Sequence, residues 1–218
     1  MKREQGHPLY WLVRGLFKLW ALIYLRFETV GAEHIPATGG CVLTPNHASF
    51  LDPPLVGVGV RKRVVHFLAR ASLFRFPIMG WWYRRIGTIP IEQDRGDLAA
   101  LRSALKALQS GKVVCLFPEG SRSPDGGLQT PKGGVGFLIA KARVPVVPVY
   151  VDGTFRAWPR RGKWIKPVKV RVFYGPPIAP DDFANRAGGK VNHTETVEKV
   201  MTHIAELKRL AEKDNKIG

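Results

Sequence analysis

From Gly31 onward the chain alternates short, Val-rich apolar runs with stretches of helical periodicity, and that alternation is the tightest constraint on its fold. Runs without a polar residue at every second position need cover on both faces, which a mostly parallel sheet between helices provides. Six runs read as strands: 41–44, 64–69, 87–91, 113–117, 146–151 and 168–174. Between the third and fourth, Leu98, Leu101, Leu105 and Leu108 recur at helical spacing, with Asp97 placed to cap the start and Gly111 to close the end. Near the carboxyl end Val197, Val200, Ile204, Leu207 and Leu210 form a second stripe, and Asn192 and Glu195 are spaced like a capping box. A length of 218 residues suits one core of this kind. Residues 31–218 are therefore read as one α/β domain, a mostly parallel central sheet flanked by helices.

Residues 1–30 read differently. The stretch 8–27 is dense in Leu and aromatic residues but interrupted by Arg14, Lys18 and Arg26. A spanning helix wants about 20 apolar residues, and each central Arg or Lys opposes insertion by roughly 2.5 to 3.5 kcal/mol. No small-residue cleavage site follows the apolar run, which argues against a secretory signal. On a helix, Arg14, Gly15 and Lys18 form a narrow polar stripe while Trp11, Leu12, Leu16, Leu19, Trp20, Ile23 and Phe27 cover the rest. This pattern predicts an amphipathic helix at the membrane interface, its basic residues snorkelling to lipid phosphates. The alternative is a helix packed on the rest of the domain.

Charge points the same way. Lys and Arg total 34 against 17 Asp and Glu, a net charge of +17 that favours anionic membrane or nucleic acid. The cluster Trp158-Pro-Arg160-Arg161-Gly-Lys163-Trp164 fits either surface, but no nucleic-acid motif accompanies it, so no nucleic-acid partner is expected. Arg61-Lys62-Arg63 and the basic residues after Lys208 read as solvated faces. Cys41 and Cys115 both lie in buried-strand runs and read as reduced thiols, which implies a cytoplasmic setting and hence the cytoplasmic face of the membrane. No His or Cys spacing suits a metal, and none is expected.

Two blocks carry chemistry. In Asn46-His47-Ala-Ser-Phe-Leu-Asp52-Pro-Pro, at a strand-to-helix turn, a carboxylate five residues after a histidine can fold back onto one ring nitrogen. The other nitrogen is then free to act as a base, with the carboxylate fixing the tautomer. Taken alone, the pair reads more readily as an Asx-type turn with a surface histidine, and it is the second block that tips the reading. The second block, Phe117-Pro118-Glu119-Gly120-Ser121-Arg122-Ser123, is a turn that exposes backbone amides beside a guanidinium suited to a phosphate. Glu119 could bind glycerol hydroxyls or order Arg122. There is no Gly-x-Ser-x-Gly elbow, so Ser49 reads as a turn residue and not a nucleophile.

These blocks, in this order, resemble the glycerophospholipid acyltransferase family, and within it the 1-acylglycerol-3-phosphate acyltransferases. Two further blocks strengthen the likeness, Gly87-Thr-Ile-Pro-Ile91 and Val144-Pro145-Val-Val-Pro148-Val149, so that it spans residues 40–151. The resemblance implies that His47 is the general base, Asp52 its partner, and that Glu119, Gly120, Ser121 and Arg122 bind the acyl acceptor. Lys132 matches a basic position that follows the third block. The family's second block usually ends with an Arg where this chain has Gln93; Arg95 either substitutes for it at the phosphate or caps a loop. The implied reaction moves a fatty acyl group from acyl-CoA or acyl carrier protein, as co-substrate and without a cofactor, to the hydroxyl of a lysophospholipid such as 1-acyl-sn-glycerol-3-phosphate, forming phosphatidic acid. Another lysolipid, or glycerol-3-phosphate, is the alternative acceptor. The alternatives that involve no enzyme are a basic nucleic-acid-binding protein and a catalytically silent membrane scaffold.

Overall fold

The computed structural model describes residues 8–77, 80–81, 83, 88–91, 98–183 and 192–217. Helix α1 (Pro8–Tyr24) leads into strands β1 (Glu28–Val30) and β2 (Cys41–Pro45), helix α2 (Asp52–Gly59), and strands β3 (Val65–Arg70) and β4 (Ile89–Ile91). Then come α3 (Leu98–Gln109), β5 (Val113–Cys115), α4 (Gly133–Ala142), β6 (Val146–Asp152), the single-turn α5 (Thr154–Ala157), β7 (Arg171–Tyr174) and α6 (His193–Ile217). The strands form one sheet in the order β1-β7-β6-β2-β5-β3-β4. Among the described strands only β6 and β7 pair antiparallel; the other strand pairs are parallel. All six runs read as strands are found with shifted ends, and β1 is added.

Successive side chains of a strand point to opposite faces, and the buried residues sort accordingly. Cys41 and Leu43 of β2, with Val147, Val149 and Val151 of β6, join Ala21 of α1 and Leu55 and Val56 of α2. Val42, Val114, Val146 and Tyr150 face the other way, onto Ala104 and Leu108 of α3, Leu138 and Ile139 of α4, and Val200 and Ile204 of α6. Every residue of β2 is buried. Truncating a fully buried side chain such as Leu43 to Ala should lower stability by about 2 to 5 kcal/mol. Cys41 and Cys115 are both free and buried, and burial pushes the Cys41 thiol up to about 12.

The helix stripes shift slightly from their reading in the sequence. On α3, Ala100, Ala104 and Leu108 are buried while Leu98 is exposed, because the small alanines allow the helix to sit close against the sheet. Gly111 has a positive φ of 78° and its N–H is donated to the Leu108 carbonyl, closing the helix as expected; Asp97 lies outside the described residues. Asn192 caps α6: its Oδ1 accepts from the Thr194 N–H at 3.0 Å and its amide donates to Glu195 at 2.8 Å.

Helix α1 turns Arg14 inward, contrary to the snorkelling expected of it, while Gly15 and Lys18 of the same stripe stay exposed. The Arg14 guanidinium donates to the carbonyls of Val58 (3.2 Å), Val60 and Arg61 (3.4 Å), at the carboxyl end of α2, where unpaired carbonyls and the helix dipole favour a cation. Ala21 and Leu25 are fully buried beneath it. Leu12, Leu16, Leu19 and Ile23, spaced at four, three and four residues, are left as an exposed apolar stripe. Among the described residues no helix is long and apolar enough to cross a membrane. Arg63 also departs from its reading as a solvated charge: it is buried and donates to the carbonyls of Pro36 (3.0 Å) and Gly111. Arg171 is likewise buried, between Asp152, Asp214 and the Ala211 carbonyl.

Candidate active site

Neighbouring strands β6, β2 and β5 bring their carboxyl ends together, and the two sequence blocks leave from β2 and β5. Asn46 fixes the first exit. Its side chain donates to the Val151 carbonyl (3.2 Å) and accepts the Val151 N–H (2.7 Å), so the end of β2 is clamped to β6. Past this clamp the chain turns back, and Asp52 enters α2 with Pro53 and Pro54 behind it in the first turn, where proline forfeits no helical hydrogen bond.

Asp52 Oδ2 lies 2.9 Å from His47 Nδ1 and also accepts the backbone N–H groups of Ala48 and Ser49, each at 2.7 Å. The carboxylate is fully buried, whereas 18% of the His47 side chain is open to solvent. Three donors on one oxygen, at a helix N-terminus, hold a charge in place despite its removal from water. Phe117 backs the imidazole with ring centroids 4.1 Å apart. Ser49 is buried, donating its hydroxyl to the Trp158 carbonyl at 2.7 Å, as its reading as a turn residue requires.

The second block grips the backbone of the first. Glu119 Oε1 accepts the His47 N–H (3.2 Å), and the Ser123 N–H is donated to the His47 carbonyl (2.7 Å). Gln129 donates to Glu119 Oε2 and to the Ser121 carbonyl, both at 3.0 Å. Glu119 is only 2% exposed, and its two oxygens brace the two blocks. Burial pushes its carboxyl up to about 7; the hydrogen bonds from Gln129 and His47 oppose that rise, and the Asp52 charge adds to it.

Gly120 has a φ of 67°, and a Cβ there would sit 2.7 Å from Cδ of Lys132, so the lysine side chain lies across the turn. Only glycine combines that backbone conformation with so close a neighbour. Ser121 is exposed. Arg122 stacks its guanidinium 3.5 Å above the ring of Phe50, which in turn meets Trp158 at 5.6 Å. Arg95 and Gln93 lie outside the described residues. Gln129, Phe50 and Phe117 were not singled out from the sequence; Phe50 had a signal available, an exposed aromatic inside the His47 block. Among the described residues no group of three His, Cys, Asp or Glu side chains could hold a metal.

The chain is 33% identical to a chloroplastic 1-acyl-sn-glycerol-3-phosphate acyltransferase of Brassica napus over 74% of its length and 48% of the relative's. For the counterpart from Arabidopsis thaliana the values are 32%, 80% and 51%. The chain thus spans about half the length of these plant relatives. The Bacillus subtilis enzyme of the same name is 27% identical, with 70% of this chain and 74% of that one covered. The crystal structure of a 1-acyl-sn-glycerophosphate acyltransferase from Thermotoga maritima superposes with a TM-score of 0.73 at 29% identity, covering 90% of this chain and 79% of the other. A family model described as Acyltransferase matches residues 26–152, more than half the chain and the span that contains both blocks, and the chain accordingly belongs to the acyltransferase family.

Proposed function

We propose that the protein transfers a fatty acyl group from acyl-CoA or acyl carrier protein to the free hydroxyl of 1-acyl-sn-glycerol-3-phosphate, yielding phosphatidic acid at the cytoplasmic face of a membrane. The observation that carries this is the 2.9 Å contact between His47 Nδ1 and a fully buried Asp52, with the ring still reachable. With Nδ1–H donated to the carboxylate, Nε2 is the basic nitrogen. It accepts the proton of the acceptor hydroxyl as that oxygen attacks the thioester carbonyl. The tetrahedral intermediate collapses with cleavage of the carbon–sulfur bond, and Nε2–H returns the proton to the leaving thiolate. Asp52 stabilises the imidazolium between those two steps. No covalent acyl-enzyme is needed, in keeping with the burial of Ser49.

Arg122, held over Phe50, and Lys132, lying across the Gly120 turn, supply positive charge for the acceptor phosphate. The exposed Leu12, Leu16, Leu19 and Ile23 stripe of α1 rests in the bilayer interface, where a two-chain product and a one-chain acceptor reside. The test is a panel of lysolipids offered with both donor types to the purified protein and read by product mass, alongside His47→Ala. That variant should lose turnover by at least about a thousandfold while remaining folded. Undiminished turnover in it would overturn the assignment.

A further inference from the structure

Trp158 and Trp164 share one loop but meet opposite fates, and the difference has no explanation inside the fold. Trp158 is half-buried against the core, its indole N–H donated to the Gly162 carbonyl at 2.9 Å. Trp164 is 83% exposed, the most open of the large apolar side chains among the described residues. Its loop is not slack. The Gly162 N–H is donated to the Pro159 carbonyl, the Lys166 N–H to that of Ala157, and the Tyr24 hydroxyl to that of Ile165, all at 2.8 Å. The last of these contacts ties the residue beside Trp164 to the end of α1, next to the exposed Ile23.

Around Trp164 the exposed side chains are Arg160, Arg161, Lys163 and Lys166, and no acidic residue occurs between Asp152 and Asp181. An indole held outward among cations, in a stretch whose own sequence carries no acid, is complementary to the headgroup layer of an anionic bilayer. At its other end the loop is joined to the site: the Trp158 carbonyl accepts the Ser49 hydroxyl, and the Trp158 ring meets Phe50, which lies under Arg122. We propose that loop 158–166 is a second membrane anchor, with Trp164 seated among the headgroups of an anionic bilayer and Arg160, Arg161, Lys163 and Lys166 on lipid phosphates, so that the Phe50–Arg122 side of the site faces the lipid. This rests on α1 being interfacial; the two anchors then form one continuous surface.

The experiment measures cosedimentation of the full chain with vesicles of phosphatidylglycerol and phosphatidylcholine in equal parts, and with pure phosphatidylcholine. Trp164→Ala should weaken partitioning about tenfold, while Trp164→Tyr, which keeps an interfacial ring, should stay within about threefold of the parent. Arg161→Ala with Lys163→Ala should weaken binding to the anionic vesicles roughly 25-fold, at about fivefold per charge, and leave the neutral ones little changed. A Leu16→Ser, Ile23→Ser pair reports on α1 independently. Should the Trp164→Ala protein partition like the parent while the α1 pair does not, the loop proposal falls and the α1 reading stands. Binding to neither vesicle by the parent would end both. Retention on polyuridylate at the same salt, lost in the Arg161, Lys163 variant while vesicle binding persists, would make the loop a nucleic-acid surface and overturn the proposal.

Discussion

Replacing Glu119 by Gln should flatten the dependence of stability on pH, because this carboxyl sits where its charge is least welcome. It is 2% exposed, with one oxygen on the His47 N–H and the other on Gln129. Burial keeps it protonated up to about pH 7, whereas in the unfolded chain it ionises near its ordinary value of 4.5. Between those values the folded state holds a proton the unfolded state has released, so stability is greatest below the lower value and falls as pH rises through the upper one. The full difference amounts to roughly 3 kcal/mol, and about 2 to 3 kcal/mol of it falls between pH 5 and pH 8. The amide side chain of the Glu119→Gln variant would keep an acceptor for the His47 N–H and carry no charge at either pH. Urea unfolding of both proteins at the two pH values, compared as a difference of differences, cancels the other titrating groups. The parent should lose about 2 to 3 kcal/mol more than the variant on going to the higher pH. Equal losses would show that burial does not raise the Glu119 carboxyl on folding, and the reasoning would fail.

Asp52→Asn should keep the fold, since an amide oxygen can still accept from Ala48 and Ser49, but lower kcat by about a thousand- to ten-thousandfold through the wrong tautomer of His47, as measured by steady-state turnover. Arg122→Ala should raise KM for a phosphorylated acceptor by roughly ten- to a hundredfold with little change for the acyl donor; an effect confined to the donor would reassign the guanidinium. Arg14→Met, which removes charge-assisted bonds to the end of α2, should lower stability by about 2 to 3 kcal/mol and Tm by roughly 5 to 10 °C in a thermal melt.

How far the sequence revealed the molecule depended on whether a residue's partner was near in the chain or chemically predictable. His47 and Asp52 are five residues apart across one turn, so spacing allowed their meeting and the second block was needed to choose it over a plain turn. The Val-rich strands announce themselves because a parallel sheet is buried on both faces, whereas β1, Glu-Thr-Val at the sheet edge, is too short and polar to do so. Gln129 has no motif; it matters only because a loop returns it to Glu119, ten residues earlier. The orientation of α1 shows the same limit most clearly. Apolar residues cover nearly the whole circumference of that helix, so hydrophobic periodicity could not choose which side packs inward, and the ordinary rule would send the one basic stripe to water or phosphate. Arg14 instead finds the carbonyl end of α2, more than 40 residues away, and a few strong polar bonds there outweigh the preference for burying leucine. The rotation that satisfies Arg14 is the same one that turns Leu12, Leu16, Leu19 and Ile23 outward. An internal hydrogen bond thereby determines which face of the protein is offered to a lipid surface.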